Sequence, residues 1–428
     1  MTRPDASLPA WEPKNLPPPS RPNRRRFLAS AAAAATTPWV LSARGRAAED
    51  QEKGEAKPPI TRKIKLGLVG CGGRGRWIAN LFREHGGYEM HAVADYFPKV
   101  AEQAGDALGV EKARRFSSLS GYARLIESGV EAVALETPPY FFPEHARAAV
   151  EAGLHVYMAK PVAVDVPGCL VIDKAGKQAS AEGQCFLVDY QVPTDPHNRE
   201  VVKRIHAGGL KQITLIDSWY LASQFPDPPL TDTIASRLRH LIWVNDVAIG
   251  GSYHVNACIH AVQAAMWIAG ARPVAAVGES RRCRPDPHGD SRDIYSITYT
   301  FEDGLIVHHR GRHVNDGTGF DVGCYCYGHG AAARIGYTGR AYVRGGPKHY
   351  GGGPIRSLYE AGARRNIDTF YRNIVRERFE NPTLRDGVDA ALATILGREA
   401  CRRRTRLTMK ELLAENKRLK VDLRGLET

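Results

Sequence analysis

Between residues 64 and 189 the chain alternates short, continuously apolar runs with longer stretches of helical periodicity. The runs at 64–69, 90–94, 132–135, 155–158 and 185–189 are too short for helices and show no alternating polar face, so they read as strands buried on both sides. Helical stretches fall between them at 76–85, 98–108, 119–128, 143–152 and 166–181, with Pro98 and Pro143 suited to a first turn. Repeated strand–helix units of this length predict an α/β, doubly wound parallel sheet over residues 61–190.

After Gln191-Val192-Pro193 the pattern changes. A helix near 197–207, a strand at 212–221, a Pro-rich loop at 226–230 and a helix around 256–268 precede several long alternating runs. The runs at 294–301 and 305–310 flank Glu302-Asp303-Gly304, a hairpin signal. Strand-like sequence continues to about 343, followed by a glycine-rich loop at 345–353 and helices near 358–376 and 388–403. Residues 191–428 therefore read as an α+β domain built on a large antiparallel sheet, with 224–251 lining its ligand side. No fixed-period repeat is present.

Residues 1–60 fit neither pattern. The formal net charge is +13, but the first 47 residues hold Lys14 and seven arginines against only Asp5 and Glu12, so about half of that charge lies ahead of the folded region. Short basic runs such as Arg402-Arg403-Arg404 read as a solvated helix face, and no nucleic-acid partner is expected. Asn23-Arg24-Arg25-Arg26-Phe27-Leu28 opens a weakly apolar, Ala-rich segment. This resembles a twin-arginine signal over residues 1–47, with 48–60 as a linker, and implies the twin-arginine export machinery as a partner and the periplasm as destination. No stretch reaches 18 apolar residues, so no stable membrane insertion is expected. The eight cysteines lack framework spacing and read as mostly buried thiols. Cys324 and Cys326 with His308, His309, His313 and His329 lie in strand-like sequence where alternate residues face opposite sides, without the paired spacing of zinc sites, and no metal is expected.

The chemistry-bearing residues stand at the ends of the predicted strands. Gly70-x-Gly72-x-x-Gly75 follows the first strand and opens a helix, with Gly73 and Arg74 inside the turn. Gly70 permits the tight turn, Gly72 lets the backbone approach a pyrophosphate, and Gly75 allows close helix–strand packing, while the helix N-terminus offers unpaired N–H groups. Asp95 ends the second apolar run, where its carboxylate is placed to accept from a ribose hydroxyl. Its charge would oppose a 2′-phosphate, which favours NAD over NADP. Glu136-Thr137-Pro138-Pro139 follows the run at 132–135 and Ala159-Lys160-Pro161 the run at 155–158, and Pro161 keeps Lys160 out of helical conformation at the mouth of the crevice. A lysine there is suited to relay a proton or donate to a substrate oxygen. Asn256 and His260, four apart on a helix, project from one face with Gln263 beside them. A neutral imidazole near a sugar hydroxyl can take its proton. Tyr190 and Gln191, after the run at 185–189, face the same crevice.

The motif GCGGRG with Asp95, the stretch ETPPYFFPEHARAAVEAGLHVYMAKPVAVD and the stretch GGSYHVNACIHAVQAAMWIAGARPVAAVG resemble, in order and spacing, the glucose–fructose oxidoreductase/inositol dehydrogenase (Gfo/Idh/MocA) family from about residue 60 to the C-terminus. The resemblance implies a Rossmann domain, an antiparallel-sheet domain that mediates dimer or tetramer formation, tightly held NAD or NADP, and oxidoreduction of a sugar or polyol hydroxyl. By position it implies that Lys160 is the lysine of the family's Glu-Lys-Pro motif, His260 the histidine of its Asp-x-x-x-His motif, and Thr137-Pro138 and His145 cofactor-side residues. Ala159 replaces the usual glutamate, Asn256 the usual aspartate, and Gln263 stands where many members have an acid. Asparagine can orient the imidazole without stabilising its charged form. Two alternatives stay open: a glycosidase or lyase using NAD for transient ring oxidation and elimination, and a non-catalytic sugar- or cofactor-binding protein.

Overall fold

The computed structural model describes residues 59–225, 238, 242–284 and 289–428. The twin-arginine segment, most of the linker and the whole Pro-rich loop at 226–230 lie outside the described residues.

The apolar runs form a six-stranded parallel sheet from β1 (Ile64–Val69), β2 (Tyr88–Asp95), β3 (Arg115–Ser117), β4 (Ala132–Leu135), β5 (His155–Met158) and β6 (Phe186–Val188), in the order β3-β2-β1-β4-β5-β6. The connecting helices are α1 (Gly73–His85), α2 (Pro98–Leu108), α3 (Gly121–Ile126), α4 (Phe142–Glu151) and α5 (Val166–Ala181). Every residue of β4 and β6 is buried, as continuous apolar strands require when helices cover both faces. The sequence pattern did not reveal β3, because Arg115-Phe116-Ser117 is a half-buried edge with no apolar run. Strand order reverses between β1 and β4, which opens the crevice where ligands bind in such sheets.

Following α6 (Pro196–His206), the chain enters a nine-stranded sheet through β7 (Ile213–Ala222). It then passes α7 (Val247–Gly250), a π turn at His254–Cys258 and α8 (Ile259–Ala269). The remaining strands are β8 (Ala275–Arg281), β9 (Ile294–Thr300), β10 (Ile306–His313), β11 (Asp321–Gly328), β12 (Ala331–Gly336), β13 (Arg340–Gly345), β14 (Tyr350–Pro354) and β15 (Leu407–Thr408). Helices α9 (Leu358–Val375), α10 (Pro382–Arg403) and α11 (Met409–Glu415) complete the chain. The sheet order is β14-β13-β12-β11-β7-β10-β9-β8-β15. It is the large, mostly antiparallel sheet expected, with one parallel pair: β7 and β10 run together, with His308 opposite Asp217. A parallel pair needs a long crossover, which the excursion through α7, α8, β8 and β9 supplies. Part of the expected glycine-rich loop is strand β14, and α10 begins at Pro382, six residues before its expected start.

Sequence order assigns α9 to the second half of the chain, yet it packs on the first sheet. Its Ile367, Phe370 and Tyr371 share a buried cluster with Ile64, Leu66, Phe82, Tyr88 and Tyr157. Tyr157 meets Phe82 and Phe370 edge-on at 5.0 and 5.7 Å, and the Tyr88 hydroxyl donates to Ile367 O at 2.9 Å. Aromatic pairs of this geometry add roughly 0.5–1.5 kcal/mol each beyond their buried area. Among the described residues no helix is long and apolar enough to cross a membrane.

Candidate active site

The glycine turn has the shape its sequence demands. Gly70 sits at φ +94°, where a Cβ would stand 2.7 Å from the Glu136–Thr137 backbone, and a Cβ on Gly75 would stand 1.8 Å from Gly70 O. Gly72 and Gly73 have nothing within 4 Å of an added Cβ. The tight glycines thus pull α1 against the sheet while the open ones leave a cradle above it. Gly72 caps α1 without a side-chain bond, and no acid occupies the first turn, so the helix N-terminus is free to receive an anion. Asp95 braces the loop: its carboxylate accepts from Cys71 N at 2.8 Å and Phe97 N at 2.9 Å, and burial raises its pKa above the usual carboxylate value.

Gly70, Gly72 and Asp95 line a cavity of about 460 Å³ with Gly73, Thr137, Pro138, His145 and Trp243, while Gly75, packed on Gly70 O, lies outside its lining. Thr137 Oγ1 lies 3.4 Å from His145 Nδ1, and Tyr122 packs on that imidazole with centroids 4.2 Å apart. Burial lowers the His145 pKa to about 3, so the ring is neutral. The cradle, the free helix terminus and the acid after β2 fit a dinucleotide.

Next to this cavity lies a charged cluster that joins Arg74, expected on the cofactor side, to Glu136 and Asp189, to which the sequence assigned no role. Arg74, the variable residue of the glycine turn, points across the strand ends with Nε 3.0 Å from Glu136 and Nη2 2.5 Å from Asp189. It also donates to the Tyr359 hydroxyl at 2.6 Å, so its role here is an ion-pair hub. Asp189 is held further by Gln191 Nε2 at 2.7 Å and Asn366 Nδ2 at 2.8 Å. Each acid stands one residue past a strand, Glu136 after β4 and Asp189 after β6, which is the positional signal that would have singled them out.

Lys160, two residues past β5 and joined to Pro161 by a cis peptide, reaches over this cluster. Its Nζ donates to Asn256 O at 2.6 Å. Burial is the main cause that lowers its pKa to about 7, with Arg74 acting in the same direction and Asp189 and Glu136 opposing. Burial likewise raises Glu136 to about 7, against the pull of Arg74. A lysine poised near neutrality beside a crevice is suited to proton transfer.

Asn256 and His260 do not sit on a regular helix as the spacing predicts. Asn256 belongs to the π turn and His260 to α8, and no hydrogen bond joins their side chains. Asn256 acts through its carbonyl on Lys160, while its Nδ2 and His260 Nδ1 have no protein partner. The His260 imidazole is ringed by Tyr190, Tyr220 and Tyr337 at centroid distances of 6.3, 6.1 and 5.2 Å. Burial first, then Lys160 and Arg74, push its pKa well below the usual histidine value. Gln191 is committed at both ends, its Oε1 accepting from Tyr337. Gln263, one turn along α8 from His260, also lines a groove with Met266, Trp267 and His206.

Arg398, buried in α10, donates from Nη1 to Val164 O at 3.0 Å and Gly251 O at 2.9 Å. It ties the segment after Lys160 to the one leading into the π turn. No local sequence pattern marks it.

Residues 64–188 match the GFO_IDH_MocA family model, described as an oxidoreductase family with an NAD-binding Rossmann fold. An inositol 2-dehydrogenase of Rhizobium meliloti (strain 1021) is 23% identical over 235 residues, spanning 55% of this chain and 64% of that protein, just under two thirds of its length. Two solved structures share the fold. The aldose-aldose oxidoreductase of Caulobacter crescentus has a TM-score of 0.66 at 21% identity, covering 81% of this chain and all of that one. A levoglucosan dehydrogenase complexed with NADH and levoglucosan has a TM-score of 0.67 at 18% identity, with the same coverage.

Proposed function

We propose, from the premise that residues 64–188 are an NAD-binding Rossmann domain of the Gfo/Idh/MocA oxidoreductases, that the protein is an NAD-dependent dehydrogenase of a sugar, polyol or sugar-derivative hydroxyl. Gly70, Gly72, Gly73 and Gly75, with Asp95, Thr137, Pro138 and His145, would hold NAD, which when bound supplies a hydride acceptor or donor. The observation that carries the reading is the placement of Lys160: a half-buried amine two residues past β5, at the strand ends beside Arg74, Glu136 and Asp189, where burial lowers its pKa to about 7. Unprotonated Nζ takes the proton of the substrate hydroxyl, and Asn256 O, Asp189 and Glu136 accommodate the ammonium that results. Such acid–base help is typically worth ~10²–10⁴-fold. His260, neutral and with Nδ1 free of protein partners, orients the hydroxyl, and Tyr190 and Tyr337 hold its ring by edge-on contacts. The inositol and levoglucosan dehydrogenases to which the chain is similar support a polyol or sugar as substrate.

The same reading places the protein in the periplasm by the twin-arginine route, on the strength of Arg24-Arg25-x-Phe27-Leu28. It also assigns a homodimer or homotetramer, supported by exposed Val277, Ile306 and Tyr327 on the outer face of the nine-stranded sheet. Cell fractionation of an Arg24→Lys/Arg25→Lys variant and sedimentation of the purified protein test these two points.

The activity is tested by incubating the protein and NAD with a panel of polyols, free sugars and glycosides while reduced nicotinamide and released aglycone are followed together. Reduced nicotinamide formed with a polyol or sugar supports the dehydrogenase. Aglycone release at constant cofactor redox state would replace it with the glycosidase or lyase, and binding without either with a non-catalytic protein.

A further inference from the structure

We propose that His254, Cys258 and His309 form a binding site for one thiophilic metal ion, Cu(I), between the π turn and the nine-stranded sheet. The site adjoins the crevice through Cys258, which neighbours Lys160, but does not depend on the assigned reaction. It departs from the sequence expectation of no metal, which weighed only the histidines and cysteines of the strand-like region.

His254 and Cys258 stand at the two ends of the π turn, and His309 faces them from the middle of β10. One donor atom from each lies within 4.8 Å of the others, and all three residues are fully buried. His254 Nδ1 and His309 Nε2 have no hydrogen-bond partner. Two orphaned imidazole nitrogens next to a thiol are a poor solution for an apolar interior unless something shared satisfies them.

The other nitrogen of each ring is engaged. His254 Nε2 lies 2.8 Å from the Tyr299 hydroxyl and His309 Nδ1 lies 2.9 Å from Ser218 Oγ. When those nitrogens donate, both rings are locked in the tautomer that leaves the facing nitrogen as a lone-pair donor, which is how metal-binding histidines are oriented by outer partners. Two glycines make the room. A Cβ on Gly311 would stand 2.7 Å from Cys258 Sγ, and one on Gly397 would stand 2.3 Å from the Tyr299 hydroxyl and 3.0 Å from His254 Nε2.

The donor set selects the ion. With metal–nitrogen bonds of about 2.0–2.1 Å and metal–sulfur bonds of about 2.3 Å, donors on a shared ion lie roughly 3.3–3.8 Å apart. Side-chain adjustments of about an ångström therefore close this cluster around an ion. Two nitrogens and one thiolate make three ligands; structural zinc takes four, whereas soft thiolate donors select Cu(I). Binding displaces the Cys258 proton to solvent, both imidazoles stay neutral, and copper keeps its oxidation state. The ion would pin the π turn to β10, and with it Asn256 O, the acceptor that holds Lys160.

The test is anaerobic titration of the metal-stripped full chain with Cu(I) against a chromophoric Cu(I) chelator, and in parallel with Zn(II) against a zinc indicator. Wild type is compared with Cys258→Ser, His309→Gln and Ser218→Ala, and with Cys283→Ser to discount the exposed thiol. One equivalent of Cu(I) is expected in wild type and Cys283→Ser. Cys258→Ser and His309→Gln should bind more than about 100-fold more weakly, beyond the ~10–100-fold that losing the outer partner in Ser218→Ala costs. Wild-type affinity in Cys258→Ser and His309→Gln overturns the site, and stoichiometric Zn(II) binding without Cu(I) overturns the ion. If those variants fail to fold, X-ray absorption of copper-loaded wild type decides: two nitrogens and one sulfur support the proposal, and any other shell refutes it.

Discussion

Alanine at Gly72 and at Gly75 should have opposite consequences, although both glycines belong to one turn. At Gly75 the new Cβ would stand 1.8 Å from Gly70 O, against a limit of 3.0 Å for real Cβ contacts, so α1 must retreat from the sheet by more than an ångström. Overpacking of this kind costs ~1–3 kcal/mol of stability, and a 1 Å displacement of a positioned group costs ~10²-fold in function. At Gly72 the Cβ meets nothing within 4 Å and the backbone, at φ −65° and ψ −169°, is open to alanine, so the apoprotein should keep its stability to within ~0.5 kcal/mol. That methyl occupies the space the pyrophosphate must enter. A steric cost of ~1–3 kcal/mol there raises the NADH dissociation constant ~5- to 150-fold. Urea unfolding of the apoproteins and NADH titration by calorimetry measure the two effects separately. A Gly72→Ala protein that binds NADH as tightly as wild type would refute the assignment of the cradle.

Lys160→Ala should lower kcat by ~10²–10⁴-fold while NADH affinity stays within a few-fold of wild type, read by steady-state kinetics and titration. Since burial and Arg74 lower the Lys160 pKa to about 7 against Asp189 and Glu136, and only the unprotonated amine accepts a proton, log kcat/KM for oxidation should climb as pH rises to about 7 and level off above it. A profile flat from about pH 6 to 9 would remove Lys160 as the base; Cys258 and His260 also adjoin the amine and are controlled by parallel profiles of Cys258→Ser and His260→Gln. Asp95→Ala deletes the acid expected to repel a 2′-phosphate and should narrow the preference for NAD over NADP, measured as the ratio of dissociation constants. Arg398→Met strips the donor shared by Val164 O and Gly251 O, while Glu399 keeps Arg402 and Arg403, so the cost is that of the unsatisfied buried carbonyls, ~1–3 kcal/mol by urea denaturation.

The first sheet was legible because its strands are buried on both faces and so spell continuous apolar runs, and the cradle because glycine spacing is local. The second sheet was legible as alternation, but not its parallel β7–β10 pair, since pairing partners 91 residues apart, His308 and Asp217, leave no mark on either strand. The π turn was missed for a related reason: one residue of extra winding does not alter an apolar pattern, yet it decides that Asn256 serves Lys160 through its carbonyl instead of orienting His260 through its side chain. The charged cluster of Arg74, Glu136 and Asp189 joins three separate strand ends, and the His254–Cys258–His309 group joins a turn to a distant strand. Each residue taken singly looks ordinary. Folding supplies the coincidence.

The measurement that tests the central claim most directly is transfer of label. A polyol or sugar that supports turnover, deuterated at its carbinol carbons, is incubated with the protein and NAD, and the recovered cofactor is weighed by mass spectrometry. Wild type should yield reduced nicotinamide carrying one deuterium, and Lys160→Ala almost none in the same time. Consumption of the substrate with the recovered cofactor still oxidised and unlabelled would contradict the account.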